Sequence, residues 1–285
     1  MNRLICRSMA MIALIAQATL ANEADIRLSS KDLTRYRISG DEFLQATSDD
    51  NLAQREAAIE ESFLAGHFPQ FLMNFQPVTF SDGKNQLVIM VSPDYLSIGH
   101  EENFVRMPMG LDTALHIARQ FNCILPTTKM VDAIYEQADI KIDAHFLPPG
   151  REMVLNSYYQ NHHQWIQNQL LDDYYQDKLM AGHKKDVVLS KKLIQKSNRV
   201  AIYGWQRIKD FSPIQPLSTW HHRNYADYSH GIRLVSRIAW LNGQEQDLGQ
   251  ILNDSKLAQL VSDEGAFSIP AIINPIRHNF AAAGH

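Results

Sequence analysis

The segment from Gln215 to Val235 concentrates side chains that can transfer protons or bind metals. Its sequence, QPLSTWHHRNYADYSHGIRLV, contains three histidines, an aspartate and two tyrosines. Histidine is the one side chain whose unperturbed pKa lies near neutrality, so histidines beside a carboxylate are typical of acid–base or metal chemistry. We therefore expect this segment to carry part of an active site.

One mechanism combines this segment with the thiol of Cys123. Cys123 would be the nucleophile, His230 the general base and acid, and Asp227 the group that orients His230. Cys123 precedes a helix predicted to start after Pro126, and a thiol near a helix N-terminus has a lowered pKa. The order of cysteine first and histidine later is also that of papain-like amidases. The alternative is that Cys123 is a small buried apolar residue.

Other polar side chains are candidates for binding the substrate under this mechanism. Two tyrosines and a glutamine could polarise a substrate carbonyl, and the remaining candidates flank His230. The set comprises Tyr203, Gln215, His222, Tyr225, Ser229 and Arg233.

A second mechanism uses the same segment to bind zinc. One of His221 and His222, together with Asp227 and His230, would supply three ligands and leave the fourth position for water. Their spacing matches no compact zinc signature. A third possibility is a hydrogen-bonded core network in which Arg233 pairs with a carboxylate. The protein would then be a non-enzymatic secreted protein that binds a glycan or another envelope component.

The string Ser229-His230-Gly231-Ile232-Arg233 resembles the Ser-His-Gly-Cys-x-Arg signature of the L,D-transpeptidases. These are periplasmic enzymes that cross-link peptidoglycan with a nucleophilic cysteine on a β-rich catalytic domain. The resemblance implies supporting roles for His230 and Arg233. No cysteine follows Gly231 here, so the nucleophile would have to come from Cys123.

A broader resemblance covers most of the chain after the first residues. The strings CILPTTKMVDAIY, VAIYGWQ and IQPLSTWHHRNYADYSHGIRLV are similar to those of a family of secreted bacterial proteins without an assigned function. This resemblance implies one domain whose two halves act together.

Residues 1–21 have the layout of a cleavable secretory signal. Arg3 and Arg7 precede the apolar run Met9–Ile15, which is too short to span a bilayer, and small residues follow up to Ala21. Their removal would take two of the 27 basic residues and none of the 31 acidic ones, which leaves a net charge of about −6. We therefore expect a secreted or periplasmic protein with no transmembrane segment after cleavage and no nucleic acid partner.

The remaining residues, 22–285, are predicted to form a single α+β domain, catalytic or binding, with a helix-rich first half and a mixed or antiparallel sheet in the second half. Apolar residues at helical spacing or at strand spacing mark the elements. The predicted helices are 41–66, 111–122, a helix capped by Thr127 or Thr128, 151–176 and 248–261. The predicted strands are 71–80, 86–97, 187–189, 200–205, 214–217 and 231–238.

Together these patterns predict a secreted or periplasmic hydrolase that acts on an envelope or extracellular polymer. The most concrete form is a cysteine-type amidase or peptidase that cleaves peptidoglycan-like peptide bonds without a cofactor. The alternatives are the zinc-dependent hydrolase and the binding protein described above.

Overall fold

The structure is a computed structural model that describes residues 38–170 and 172–273. The predicted signal over residues 1–21 lies outside the described residues. The α+β class is confirmed, since short helices surround several small sheets. The helices are α1 Gly40–Ala46, α2 Leu52–Leu64, α3 Leu111–Gln120, α4 Thr128–Gln137, α5 Asn156–Gln167, α6 Lys192–Gln195, α7 Leu248–Asn253 and α8 Ile269–Ile273. Short 3-10 turns occur at Gln70–Met73, Arg151–Val154, Asp172–Asp177 and Ala258–Leu260.

The strands are short and are distributed over both halves of the described chain. They are β1 Gln76–Ser81, β2 Gln86–Val91, β3 Ser97–His100, β4 Asn103–Arg106, β5 Cys123–Ile124, β6 Ile140–Lys141, β7 Met180–Ala181, β8 Lys185–Val187, β9 Ile202–Gln206, β10 Pro213–Ser218, β11 His230–Gly231, β12 Val235–Leu241 and β13 Gln244–Asp247.

Two helix starts follow from capping side chains. The side chain of Asn51 accepts a hydrogen bond from the backbone N–H of Gln54, and that of Thr127 accepts one from Met130. These bonds satisfy backbone donors that have no partner in the first turn of a helix. The predicted cap at Thr127 is therefore confirmed, whereas the single helix predicted over 41–66 is divided into α1 and α2, with Asn51 as the cap of α2.

Two predicted helices are shorter than their apolar spacing indicates. In the run 151–176, the described part contains one α-helix, α5, with Asn168 as the C-cap residue, and 3-10 turns before and after it. The run 248–261 stops at Asn253, because the side chain of Asp254 accepts hydrogen bonds from the backbone of Lys256 and Leu257. Asp competes for backbone hydrogen bonds outside helices, and at Asp254 this local competition outweighs the apolar spacing.

The larger sheet is antiparallel and has the order β1-β2-β12-β13, with β5 pairing on β12. The hairpin of β1 and β2 turns at Gly83, whose φ of 85° suits glycine. Asp82 stabilises the turn because its side chain accepts from the backbone of Lys84 and Asn85. The predicted strands 71–80 and 86–97 therefore meet as a hairpin, in the parts that β1 and β2 cover.

The second sheet is mixed and has the order β10-β9-β8-β11. Its strands pair antiparallel except for β8 and β11, which are parallel. Helix α4 packs against β1 of the larger sheet and β9 of the second sheet, and its buried face includes Met130, Val131 and Ile134. Helix α4 thus contacts both sheets. Within the described parts of the chain, no helix combines the length and apolar character needed to cross a membrane.

Candidate functional site

The segment with three histidines meets a second segment rich in ionisable side chains. In the parallel pairing of β8 with β11, Lys185 lies opposite His230 and Asp186 lies opposite Gly231. The backbone N–H of Lys185 donates to the carbonyl of Ser229 at 2.7 Å. This pairing brings the sequence GHKKD beside the sequence YSHG.

Position 231 has no space for a side chain, because Tyr95 and Lys184 lie directly against the backbone of β11. A Cβ atom at position 231 would be 2.6 Å from Cδ1 of Tyr95 and 2.7 Å from Cβ of Lys184. Both distances are well below van der Waals contact. A glycine at this position therefore lets the Tyr95 ring pack onto β11.

Buried charges form a hydrogen-bonded group on the inner side of these strands, which we call the inner network. Its side chains come from β4, β8 and the connections that follow β2, β7 and β11, and they are almost fully excluded from solvent. Its members are Asp94, Tyr95, Arg106, His183, Asp186 and Arg233.

Asp94 is the centre of one half of the inner network. It accepts from Nε of Arg106 at 2.8 Å and lies 2.9 Å from Nε2 of His183. Burial opposes ionisation of Asp94, but Arg106 and His183 outweigh burial and hold its pKa far below the usual range. Burial lowers the pKa of His183 to about 4, so this ring is neutral at pH 7 and donates to Asp94.

Asp186 is the centre of the other half. It accepts from the hydroxyl of Tyr95 at 2.8 Å, and Nε of Arg233 lies 3.9 Å away. Arg233 also donates to the carbonyls of Ser92 and Met180, both at 2.6 Å. Burial raises the pKa of Asp186 to about 7, and the nearby Arg233 offsets only part of this rise. Arg233 is therefore paired with a carboxylate, as the core-network alternative predicts.

The second group of ionisable residues lies around β11 and reaches the surface, and we call it the His230 cluster. Lys185, His221 and Tyr225 are half-buried, whereas the remaining members are buried. Its members are Lys185, His221, Tyr225, Asp227, Ser229 and His230.

Asp227 organises the His230 cluster. It accepts from the hydroxyl of Ser229 at 2.5 Å, from the N–H of Ser229 at 2.8 Å and from the hydroxyl of Tyr225 at 3.1 Å. The nearest distance between its carboxylate and Nε2 of His230 is 3.8 Å, which is too long for a hydrogen bond. The sequence prediction that Asp227 and His230 lie close together agrees with this arrangement.

Asp227 and His230 carry different charges at neutral pH. Burial lowers the pKa of His230 to about 4, and Asp227 only partly opposes the change. Burial raises the pKa of Asp227, but His230 and the bonds from Ser229 outweigh burial and keep its pKa below the usual value. A carboxylate therefore lies beside a neutral imidazole, and neither ring nitrogen of His230 has a hydrogen-bond partner within the described structure.

Aromatic rings surround the half-buried side of the cluster. His221 stacks on Tyr225 with ring centres 4.1 Å apart, and Nζ of Lys185 lies 4.7 Å from the centre of the Trp205 ring. Phe146, which is 59% exposed, contacts Trp205 with ring centres 4.7 Å apart. Burial lowers the pKa of Lys185, although the nearby Asp227 opposes this shift. The cluster thus offers a base, a carboxylate and an amine beside aromatic surfaces.

Three of the predicted substrate-binding residues make their contacts elsewhere. Tyr203 donates its hydroxyl to Asp132 at 2.9 Å, and the side chain of Gln215 donates to the carbonyl of Pro216 at 2.8 Å. His222 is exposed, and Nδ1 of its ring accepts from the backbone of Asn224 at 3.4 Å. Of the six candidates, the structure brings only Tyr225 and Ser229 into the His230 cluster, while Arg233 lies in the inner network.

The geometry gives the zinc alternative no support. Among the residues that the structure describes, no group of three or more His, Cys, Asp and Glu side chains is arranged to hold a metal ion. The exposed ring of His222 bonds to its own loop, whereas Asp227 and His230 are buried.

Cys123 lies in a different place from His230. It belongs to β5, pairs with Ser236 of β12 in the larger sheet and donates its thiol to the carbonyl of Phe121 at 3.2 Å. Burial raises the pKa of the thiol well above its usual value. The described residues that line the cavity beside Cys123 include no histidine. The expected partly exposed thiol with a lowered pKa is therefore wrong, because strand pairing buries the side chain before helix α4 begins.

The thiol of Cys123 is expected to resist alkylation in the folded protein. A protein without residues 1–21 should react with iodoacetamide at pH 8 at least 100-fold more slowly than free cysteine, because only an accessible thiolate attacks. Mass spectrometry with and without 6 M guanidinium chloride measures this protection. Rapid labelling of the native protein would contradict the burial of Cys123.

Acid should destabilise the protein partly through His230. The unfolded ring has a pKa near 6.5 and the folded ring about 4, so the unfolded state binds the proton first and stability is lost as the pH falls through this window. Between pH 7 and 4.5, His230→Gln should therefore lose about 2 kcal/mol less stability than the wild type. Urea unfolding at the two pH values measures the difference, with the exposed His116→Gln as the control. Equal losses for the wild type and His230→Gln would show that the ring is not held neutral.

The residue that follows Gly231 lies in the core. Ile232 is fully buried, and its carbonyl accepts from the backbone N–H of Leu96 at 2.8 Å. The position at which the L,D-transpeptidase signature has its cysteine therefore offers no reactive side chain. Comparisons with protein-family models, curated proteins and solved structures returned no match.

The sequence reasoning missed most of the inner network. Asp94, Tyr95 and Arg106 lie within one short stretch of the sequence, but no spacing connects that stretch with β8 or β11. A usable signal was the run of four ionisable residues His183, Lys184, Lys185 and Asp186 immediately before an apolar strand. Charged residues are rarely buried without partners, so such a run beside a core strand indicates a paired or functional group.

Proposed function

We propose that the protein is a secreted or periplasmic hydrolase that cleaves a bond of an envelope or extracellular polymer, with water rather than a thiol as the nucleophile. The observation that carries this proposal is the pair of Asp227 and His230. A neutral imidazole with unpartnered nitrogens beside an ionised carboxylate is suited to accept a proton from water. Peptidoglycan-like peptide bonds are the most concrete substrate.

Each member of the cluster has a role that follows from its charge. His230 removes a proton from water as the water attacks the substrate carbonyl, and Asp227 stabilises the imidazolium that forms. Lys185 donates to the carbonyl oxygen as negative charge develops on it. His230 then gives the proton to the leaving amine, which restores the neutral ring.

Access to His230 requires a movement of the aromatic rings that cover it. The ring of Tyr225 lies 5.7 Å from that of His230, and the ring of His221 lies 6.3 Å away. Because both covering residues are half-buried, we expect their stacked pair to shift when a substrate enters. The same movement would bring water to the unpartnered nitrogens of His230.

Binding without cleavage is the second candidate function. Trp220, next to His221 in the chain, is 80% exposed, and Phe146 is also exposed. Exposed aromatic rings stack against the apolar faces of sugars. A glycan-binding protein would keep this surface and would not need His230.

The export part of the proposal is supported by the sequence of residues 1–21. Removal of these residues in the native host would leave a chain that begins near residue 22. The mass of the protein recovered from the envelope or the medium tests this, and a full-length cytoplasmic chain would contradict it.

The activity is tested with a protein that lacks residues 1–21. Purified peptidoglycan and a denatured protein substrate are incubated with it, and mass spectrometry identifies soluble fragments and new free amino groups. New amino groups support the hydrolase, whereas retention on peptidoglycan without fragments supports the binding protein. Absence of both results on every substrate would contradict the proposal.

A further inference from the structure

A cavity of about 630 Å³ lies beside β5, between helices α3, α7 and α8. Its size is within the range of small-molecule sites. It shares no lining residue with the His230 cluster. Cys123 forms part of its wall but supplies no reactive thiol, for the reasons given above. The cavity is therefore a site that the proposed hydrolysis does not use.

The walls of the cavity combine an apolar surface with a few polar groups. Apolar side chains from α3, β5, α8 and the connection after β8 form part of the lining, and they include Leu115, Ile124, Leu189, Ile269 and Ile273. Such a lining favours the burial of a compact apolar group.

The charges at the cavity do not cancel. Arg237 is paired with Asp247, to which its Nε and Nη2 atoms donate at 3.1 and 2.7 Å. Arg119 is exposed at the end of α3 and has no carboxylate partner among the described residues. Among the described residues of the lining, the ionisable groups thus leave one positive charge without a counter-charge. An arginine suits a carboxylate because its donors bind two oxygens at once.

We infer that this cavity binds a small amphipathic monocarboxylate, with the apolar part between α3 and α8 and the carboxylate on Arg119. The inference is independent of the proposed hydrolysis. Both parts of the ligand are needed, because the apolar walls contact its apolar part and the guanidinium of Arg119 binds its carboxylate.

Octanoate and 1-octanol are matched probes, since they share a chain length and differ in charge. Isothermal titration calorimetry of the protein without residues 1–21 should show one octanoate site with a Kd of about 10–100 μM. Octanol should bind about tenfold more weakly, since it loses the charge-assisted bond. Weaker binding of octanoate than about 1 mM, or equal binding of the two probes, would overturn the inference.

Variants distinguish the contribution of the Arg119 charge from that of the apolar cavity. Arg119→Gln should weaken octanoate binding about tenfold and leave octanol unchanged. Arg151→Gln is the matched control, since Arg151 is also exposed and lies outside the cavity. Ser268→Phe, which places a ring in the cavity, should weaken both probes, with circular dichroism used to confirm the fold. Equal octanoate affinity in Arg119→Gln and Arg151→Gln would also overturn the inference.

Discussion

His230→Gln is expected to lower the rate of polymer cleavage about 1,000-fold while leaving the fold intact. General-base catalysis by a positioned side chain contributes about 100- to 10,000-fold. Glutamine is a mild replacement here, because His230 is neutral at pH 7 and makes no hydrogen bond through its ring among the described residues. The loss should therefore appear in kcat, and thermal unfolding at pH 7 should change little. Initial rates of amino-group release on peptidoglycan measure the effect.

The control for this variant is His116→Gln, which makes the same chemical change on the exposed surface of α3. His116 pairs with Glu60 at 2.7 Å, and neither residue belongs to the His230 cluster. Its activity should match that of the wild type. Asp227→Asn should also reduce kcat, since the imidazolium would lose its counter-charge. Full activity of His230→Gln would remove His230 from the mechanism and leave the binding function as the better proposal.

Asp94→Asn is expected to reduce the free energy of unfolding by about 3–5 kcal/mol. The substitution removes the only negative charge that Arg106 contacts in the inner network and leaves the guanidinium buried with an uncompensated charge. Nη2 of Arg106 lies 2.6 Å from Asp94, and the exposed fractions of the two side chains are 0% and 1%. Urea unfolding at pH 7 measures the loss.

Asp263→Asn is the matched control for Asp94→Asn. Asp263 pairs with Lys129 at 3.2 Å on the surface, where both side chains are partly exposed. Surface pairs contribute about 0–1 kcal/mol, so this variant should remain within about 0.5 kcal/mol of the wild type. Similar losses of unfolding free energy in the two variants would show that the buried Asp94–Arg106 pair contributes no more to stability than a surface pair.

Local chemistry explains which parts of the fold the sequence predicts. Asn51 and Thr127 act on backbone groups three residues away, so their caps are visible in a short window. The Asp82-Gly83 turn is local in the same sense. Asp227 and His230 are also separated by only two residues, which is why their proximity was predictable.

The rest of the candidate site depends on contacts between distant parts of the chain. Lys185 meets His230 only because β8 pairs with β11, and no periodicity specifies which strands become neighbours. Cys123 was misplaced for the same reason, since its pairing with Ser236 puts the thiol inside the larger sheet. Burial then reverses the expected direction of its pKa shift.

The parallel pairing of β8 with β11 determines when the His230 cluster can form. Residues 188–229 separate the two strands, and the pair can close only after this long connection is present. Long loops carry a closure cost that local helices avoid, so such contacts are made late in folding. A chain that is still emerging from the ribosome or a translocation channel has no complete cluster until Gly231 is available. The proposed chemistry therefore depends on a strand pair that can form only after residue 231 has been synthesised.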